Sequence, residues 1–170
     1  RLNGRAGRVL HGDSNYILQG IGDFVVSANA LGALVGKRVG VIGKPSGWLI
    51  ASNVDYERLK AAWGVTLVDL PLSEVEANYA AVAEAEVEDL ANDFIAKSKA
   101  INAKETNREE IVKAMRLYKA VKMMVEKYDL SALTLNCFDL IPTTKSTGCV
   151  ALALLNDEGV PAGCEGDIQT

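Results

Sequence analysis

Basic residues are too few to dominate this chain: 18 Lys and Arg stand against 22 Asp and Glu, a formal charge of −4. That balance offers no broad positive field for a phosphate backbone or an anionic lipid, so neither a nucleic-acid nor a membrane partner is expected. Histidine is scarcer still. With His11 alone, no His-rich metal centre can be built, and any metal site has to rest on oxygen ligands or on ligands supplied from other sequence. The three cysteines, Cys137, Cys149 and Cys164, are odd in number, lack CxxC spacing and lie among apolar or small residues. They read as reduced thiols of a cytoplasmic protein. No apolar stretch approaches the ~18 residues a bilayer span needs, and the first residues hold no signal-peptide core, so a membrane segment is not expected.

What is present suits an ordinary globular chain. Its 170 residues are 49% hydrophobic and 24% charged, enough to bury one good core. Arg1 starts among polar residues without an initiator Met, and Thr170 follows closely on an acidic pair, so the expectation is a piece of a longer protein. Residues 1–35 read as a connector and helix from a preceding domain, 36–160 as an α/β middle domain, and 161–170 as the start of a further domain.

The hydrophobic pattern alternates between two periods. Apolar residues at helical spacing run from Gly22 to Val35, after a Gly-rich connector over 1–20. A β-branched strand Val39–Ile42 follows. Asp55 then caps a helix Tyr56–Trp63, Gly64 stops it, and a second strand covers Val65–Leu70. Ser73 with Glu76 has the form of a capping box opening one long helix through Val75, Tyr79, Val82, Val87, Leu90 and Phe94, with its acids preceding Lys97 and Lys99. Thr106 with Glu109 repeats the box before Ile111–Val125. A third strand spans Leu130–Phe138, a hydroxyl-rich loop Asp139–Lys145, and a helix runs from Ser146 or Thr147 to Leu155, stopped by Gly159. Strands alternating with helices predict a three-layer, Rossmann-like α/β fold with a parallel sheet.

Parallel sheets bind ligands beyond the carboxyl ends of their strands, which singles out Gly43–Leu49 and Asp139–Ser146. The first loop lacks the Gly-Lys-Ser/Thr ending of a phosphate-binding loop, and Gly20-Ile21-Gly22 lacks the third Gly and the strand–turn–helix order of a dinucleotide fingerprint. Trp48 beside Ser46 can stack on a sugar face or plug an interface. Asp139 and the hydroxyls after it suit an oxygen-rich or anionic ligand, or simply a capped helix start. Glu165-Gly166-Asp167, following a buried-looking segment, is either a carboxylate held in a site or a solvated turn.

Three segments carry a resemblance: Gly43-Lys44-Pro45-Ser46-Gly47-Trp48-Leu49-Ile50-Ala51-Ser52, Cys137-Phe138-Asp139-Leu140-Ile141-Pro142-Thr143-Thr144-Lys145, and Ala162-Gly163-Cys164-Glu165-Gly166-Asp167-Ile168. In order and separation they resemble the middle domain of the L-fucose isomerase-like and L-arabinose isomerase-like sugar isomerases and its entry into the catalytic domain. The resemblance implies a metal-dependent aldose–ketose isomerase acting on a free sugar through an enediol. It implies Glu165 as a ligand of a divalent metal, manganese in particular, and as the group exchanging the substrate proton. Asp167 would then orient its neighbour, and Ser46, Trp48 and Asp139 would meet sugar hydroxyls. The remaining ligands would lie beyond this sequence, leaving it inactive alone. A cytoplasmic homo-oligomer, with sites near subunit boundaries, belongs to the same implication.

The chemistry is consistent with those residue types. Shifting a carbonyl from C1 to C2 removes a proton beside a carbonyl and returns it to the neighbouring carbon, which asks for a carboxylate base and a cation for the developing charge. The rival expectation is a non-catalytic α/β domain that binds carbohydrate or regulates, needing no metal-paired carboxylate.

Overall fold

A computed structural model describes residues 7–98 and 106–169. Contacts divide the chain into two compact units, Arg1–Val35 and Gly36–Thr170. The expectations for residues 1–6, Lys99 and Thr170 lie outside the described residues.

The first unit is built on helix α1, Ser14–Leu34. It begins earlier than its apolar spacing suggests, because Asp13 caps it through Tyr16 N (2.9 Å). Gly20 does not break it: Leu10 packs there, where a Cβ would come within 2.7 Å of its Cδ2. Phe24, Val26 and Leu18 stand exposed, and no residue of α1 is buried. Contrary to the sequence expectation, α1 is long and apolar enough to cross a membrane by length and composition, the one such helix among the described residues. Asp23 is its only charged residue.

The second unit holds a four-stranded sheet in the order β2-β1-β3-β4, from β1 (Arg38–Ile42), β2 (Thr66–Leu70), β3 (Ala132–Leu135) and β4 (Ala162–Cys164). Every pairing is parallel, with Val39 opposite both Leu67 and Ala132, and Leu135 opposite Cys164. The expected fold and strand locations hold, and β4 is an addition: the segment from 161 onward contributes a strand to this same sheet. Helix α2, Tyr56–Trp63, runs as expected, from the Asp55 cap on Arg58 N (3.0 Å) to left-handed Gly64. Since the β1–β2 crossover moves one way along the sheet and the later crossovers the other, right-handed connections put α2 on one face and the helices that follow β2 on the opposite face.

The core lies on that opposite face. Leu117, Val121 and Met124 of α5 (Arg108–Tyr128) pack with Ile42, Leu133 and Leu135 of the sheet and with Leu152 and Leu155 of α7 (Cys149–Asp157). Burial of a side chain of this kind contributes roughly 1.5–3 kcal/mol, so the α5 stripe is the main anchor of the layer. A smaller cluster joins Val82, Val87, Ala91, Ile111 and Met115.

The long helix expected from Ser73 is interrupted. It forms as α3 (Leu72–Ala81), a 3₁₀ turn Glu84–Val87 and α4 (Glu88–Lys97). At the break, Arg116 of α5 donates to Val82 O (2.9 Å) and Tyr79 O (3.1 Å) and stacks on the Tyr79 ring, supplying donors that a continuing helix would have provided. The Ser73 box does not form, since Pro71 occupies the cap. The second cap falls one residue later than expected: Asn107, not Thr106, caps α5 through Glu110 N (3.1 Å). The loop after β3 is likewise more ordered than its hydroxyls suggest, forming a 3₁₀ turn Phe138–Leu140 and the single-turn helix α6, Ile141–Thr144.

Candidate functional site

The sheet order creates a crevice. From β1 the chain crosses to one side and from β3 to the other, so the loops after these adjacent strands diverge, the usual ligand position in a parallel α/β sheet. Gly43 makes the close approach possible. Its φ is +81°, and a Cβ there would lie 2.9 Å from Asn136 Cβ. Buried Asn136 then stitches the loops together, its Nδ2 donating to Lys44 O and to Asp139 Oδ2, both at 2.9 Å. The Trp48 and Phe138 rings meet across the loops with centroids 6.5 Å apart. The expectation that both loops share one edge of the sheet is therefore met.

The turn after β4 reaches the same edge. Glu165 and Gly166 have φ of +62° and +71°, and Asp167 N closes the turn on Cys164 O (3.0 Å). A left-handed conformation at Glu165 costs roughly 1–2 kcal/mol and persists only where the surroundings impose it. Here they do: a Cβ on Gly166 would lie 2.8 Å from Lys44 O and Pro45 Cα, and the Glu165 carbonyl accepts both Ser46 N (3.0 Å) and Ser46 Oγ (3.2 Å). The turn is wedged against the β1 loop from both sides.

The side chains complete the arrangement. Trp48 is 66% exposed, yet its Nε1 donates to Glu165 Oε2 at 2.8 Å. Asp167 Oδ1 accepts from Ser52 Oγ (2.5 Å) and Gln169 N (3.0 Å), while Ser52 Oγ, 2% exposed, accepts from Ile168 N (3.1 Å). Among the described residues no ion pair engages Glu165. A cavity of ≈260 Å³ lies beside it, lined by Leu49, Cys164, Glu165 and Asp167. Burial, with the adjacent Cys137 thiol, pushes the Cys164 thiol up to about 12.

Of the residues singled out from sequence, Ser46, Trp48, Glu165 and Asp167 come together directly, and Asp139 is tied to them through Asn136 and Lys44. The other hydroxyls of the β3 loop find partners elsewhere: buried Thr144 Oγ1 donates to Leu140 O (2.9 Å), and Thr143 Oγ1 donates at the surface to Glu76 Oε1 (2.6 Å). Ser52 and Asn136 were missed as organising residues. Their signal was positional, a small polar side chain directly after a strand or a strand-end loop, and such residues are common enough to pass unnoticed.

The donor chemistry fits a hard divalent cation only in part. Glu165 offers a carboxylate whose Oε1 has no hydrogen-bond partner among the described residues, and carboxylate oxygen is what manganese or magnesium prefers. Yet among the described residues no group of three or more His, Cys, Asp or Glu is placed to hold a metal ion. Glu165 could supply one ligand; the rest of a shell would have to come from other sequence.

The L-arabinose isomerase central domain matches residues 53–170. The chain belongs to that family. The match begins just after Ser52, so it covers the second and third resembling segments and leaves the Ser46–Trp48 loop outside it. No curated protein matches the chain. Membership in a sugar isomerase family agrees with a strand-edge site carrying a carboxylate.

Proposed function

We propose that this chain is part of a metal-dependent aldose–ketose isomerase that acts on a free sugar in the cytoplasm as a homo-oligomer. The observation carrying this reading is Glu165. It stands in a left-handed turn at the ligand-binding edge of a parallel sheet, oriented by an indole N–H and engaged in no ion pair among the described residues.

In this reading Glu165 both offers an oxygen to manganese and exchanges the proton between substrate C1 and C2 through an enediol. The bound cation would supply polarisation of the sugar oxygens and stabilisation of developing negative charge. Trp48 Nε1 engages Oε2 and orients the carboxylate, leaving Oε1 to act. Ser52 and Asp167 hold the turn so that Glu165 needs no reorganisation when substrate arrives. The exposed Trp48 face and Asp139 would receive sugar hydroxyls, or Trp48 would meet a neighbouring subunit. Ser46 contributes through the Glu165 carbonyl.

The test is Glu165→Gln in the full-length protein, with isotope exchange at sugar C2 and metal content measured on the same samples. The amide keeps volume and removes the charge and the basic oxygen. Exchange is expected to fall by roughly 10²–10⁴-fold, with lowered metal content and an unchanged fold. Full exchange with normal metal content would reject the assignment and favour a domain that binds carbohydrate without converting it.

A further inference from the structure

Two cysteines that sequence separates by 27 positions meet at the end of the sheet: Cys137 Sγ and Cys164 Sγ are 2.8 Å apart. The sheet register produces the meeting. Leu135 and Cys164 are partners across parallel β3 and β4, and Cys137 follows two residues after Leu135, returning to its side of the sheet. The two thiols differ in access. Cys137 is 1% exposed and walled in by Gly148, where a Cβ would lie 2.9 Å from Cys137 Cβ. Cys164 is partly exposed and lines the cavity of ≈260 Å³ that also borders Glu165. The third cysteine, Cys149, is exposed and stands at the start of α7.

We propose that Cys137 and Cys164 are a reversible oxidation site, closed to a disulfide by a hydroperoxide that enters through this cavity. The Cys164 sulfur attacks one peroxide oxygen and the O–O bond breaks. One oxygen stays on sulfur as its hydroxyl, the other departs as hydroxide and takes the Cys164 proton to become water, and Cys164 is left as a sulfenic acid. The Cys137 sulfur attacks the sulfenic sulfur, the S–O bond breaks, and the hydroxyl departs as a second water with the Cys137 proton. Two thiols are oxidised by two electrons and one peroxide is reduced. The new bond ties the end of β3 to the residue that precedes Glu165. This inference stands independently of the isomerase reading, because its readout is covalent.

The experiment treats the reduced full-length protein with excess hydrogen peroxide, alkylates the remaining thiols and maps the peptides by mass. The expected product is a Cys137–Cys164 cross-linked peptide lighter by two hydrogens, with Cys149 alkylated, and dithiothreitol restores both thiols. Cys164→Ser is expected to abolish the cross-link. Cys137→Ala is expected to leave Cys164 as a sulfenic acid that dimedone captures. The proposal is overturned if both thiols remain fully alkylated after oxidation, if the disulfide formed runs through Cys149, or if dimedone labels Cys137 in the Cys164→Ser protein as strongly as it labels Cys164 in the Cys137→Ala protein.

Discussion

Glu158 at the end of α7 and Glu165 at the end of β4 lie a few residues apart in sequence, and their carboxylates meet different chemistry. Glu158 takes Lys122 Nζ at 2.8 Å and the Tyr118 hydroxyl, and the lysine's hydrogen bond, followed by the tyrosine's, holds its carboxyl below the usual range. Glu74 and Glu86 are held likewise, by Lys127 and Lys119 at 2.6 Å each. These acids sit on helix faces or helix ends where a lysine from another element can reach them. Glu165 meets a neutral indole N–H in a strand-end turn, with no lysine or arginine ion-paired to it among the described residues. A carboxylate partnered by lysine is part of the surface. One oriented by a neutral donor beside a cavity retains the capacity to bind a cation or take a proton.

Four substitutions would break or sharpen that contrast. The largest effect is expected from Glu165→Gln on isotope exchange, as set out above, whereas Glu158→Gln leaves exchange unchanged. Gly166→Ala comes next. With φ of +71° and a new Cβ against the Lys44 and Pro45 backbone, it should destabilise the protein by roughly 2–3 kcal/mol and reduce exchange with it. Chemical denaturation and exchange rates on one preparation check both; a stability within error of the parent would show that the turn is not wedged.

Trp48→Phe keeps a ring and removes the indole donor. A roughly 10-fold loss of metal affinity or exchange is expected with stability preserved, which is the effect of removing a partner that orients a ligand. Titration with manganese monitored calorimetrically decides this, and an unchanged affinity would make Trp48 a surface contact alone. The smallest effect belongs to Glu158→Gln on stability, about 0.5 kcal/mol at neutral pH because both partners are more than a third exposed and solvent screens the pair. Since the folded carboxyl is depressed, its contribution is present above the ordinary carboxylate value and disappears as pH falls through the lower folded value. Denaturation midpoints of both proteins should converge in that acidic window; a constant difference would point to packing.

The strands and α2 were legible because their signals are local: β-branched runs between glycines, an Asp cap and a terminal Gly act within a few residues. The α3–α4 break was not, because Arg116 supplies its donors from another helix. β4 was hidden by length, since Ala162-Gly163-Cys164 has no apolar alternation and becomes a strand only through pairing with β3. Of the site, the acidic pair and Trp48 were visible as residue types. That Trp48 donates to Glu165, and that Ser52 holds Asp167, depends on parallel strand ends brought together by long crossovers, which no spacing within either segment records.

Ser46 and Glu165 are 119 positions apart, and β4, which carries the latter, is a three-residue strand at the edge of the sheet without a fully buried residue. Such a strand is where local opening is least costly, well below the free energy of unfolding the α5 core. The protein can therefore lose the geometry of Glu165 while keeping nearly all its structure. Any ligand bridging Glu165 to the β1 loop acts as a latch on that opening, so occupancy of the site and protection of the Gly163–Cys164 amides from hydrogen exchange are two measures of one equilibrium.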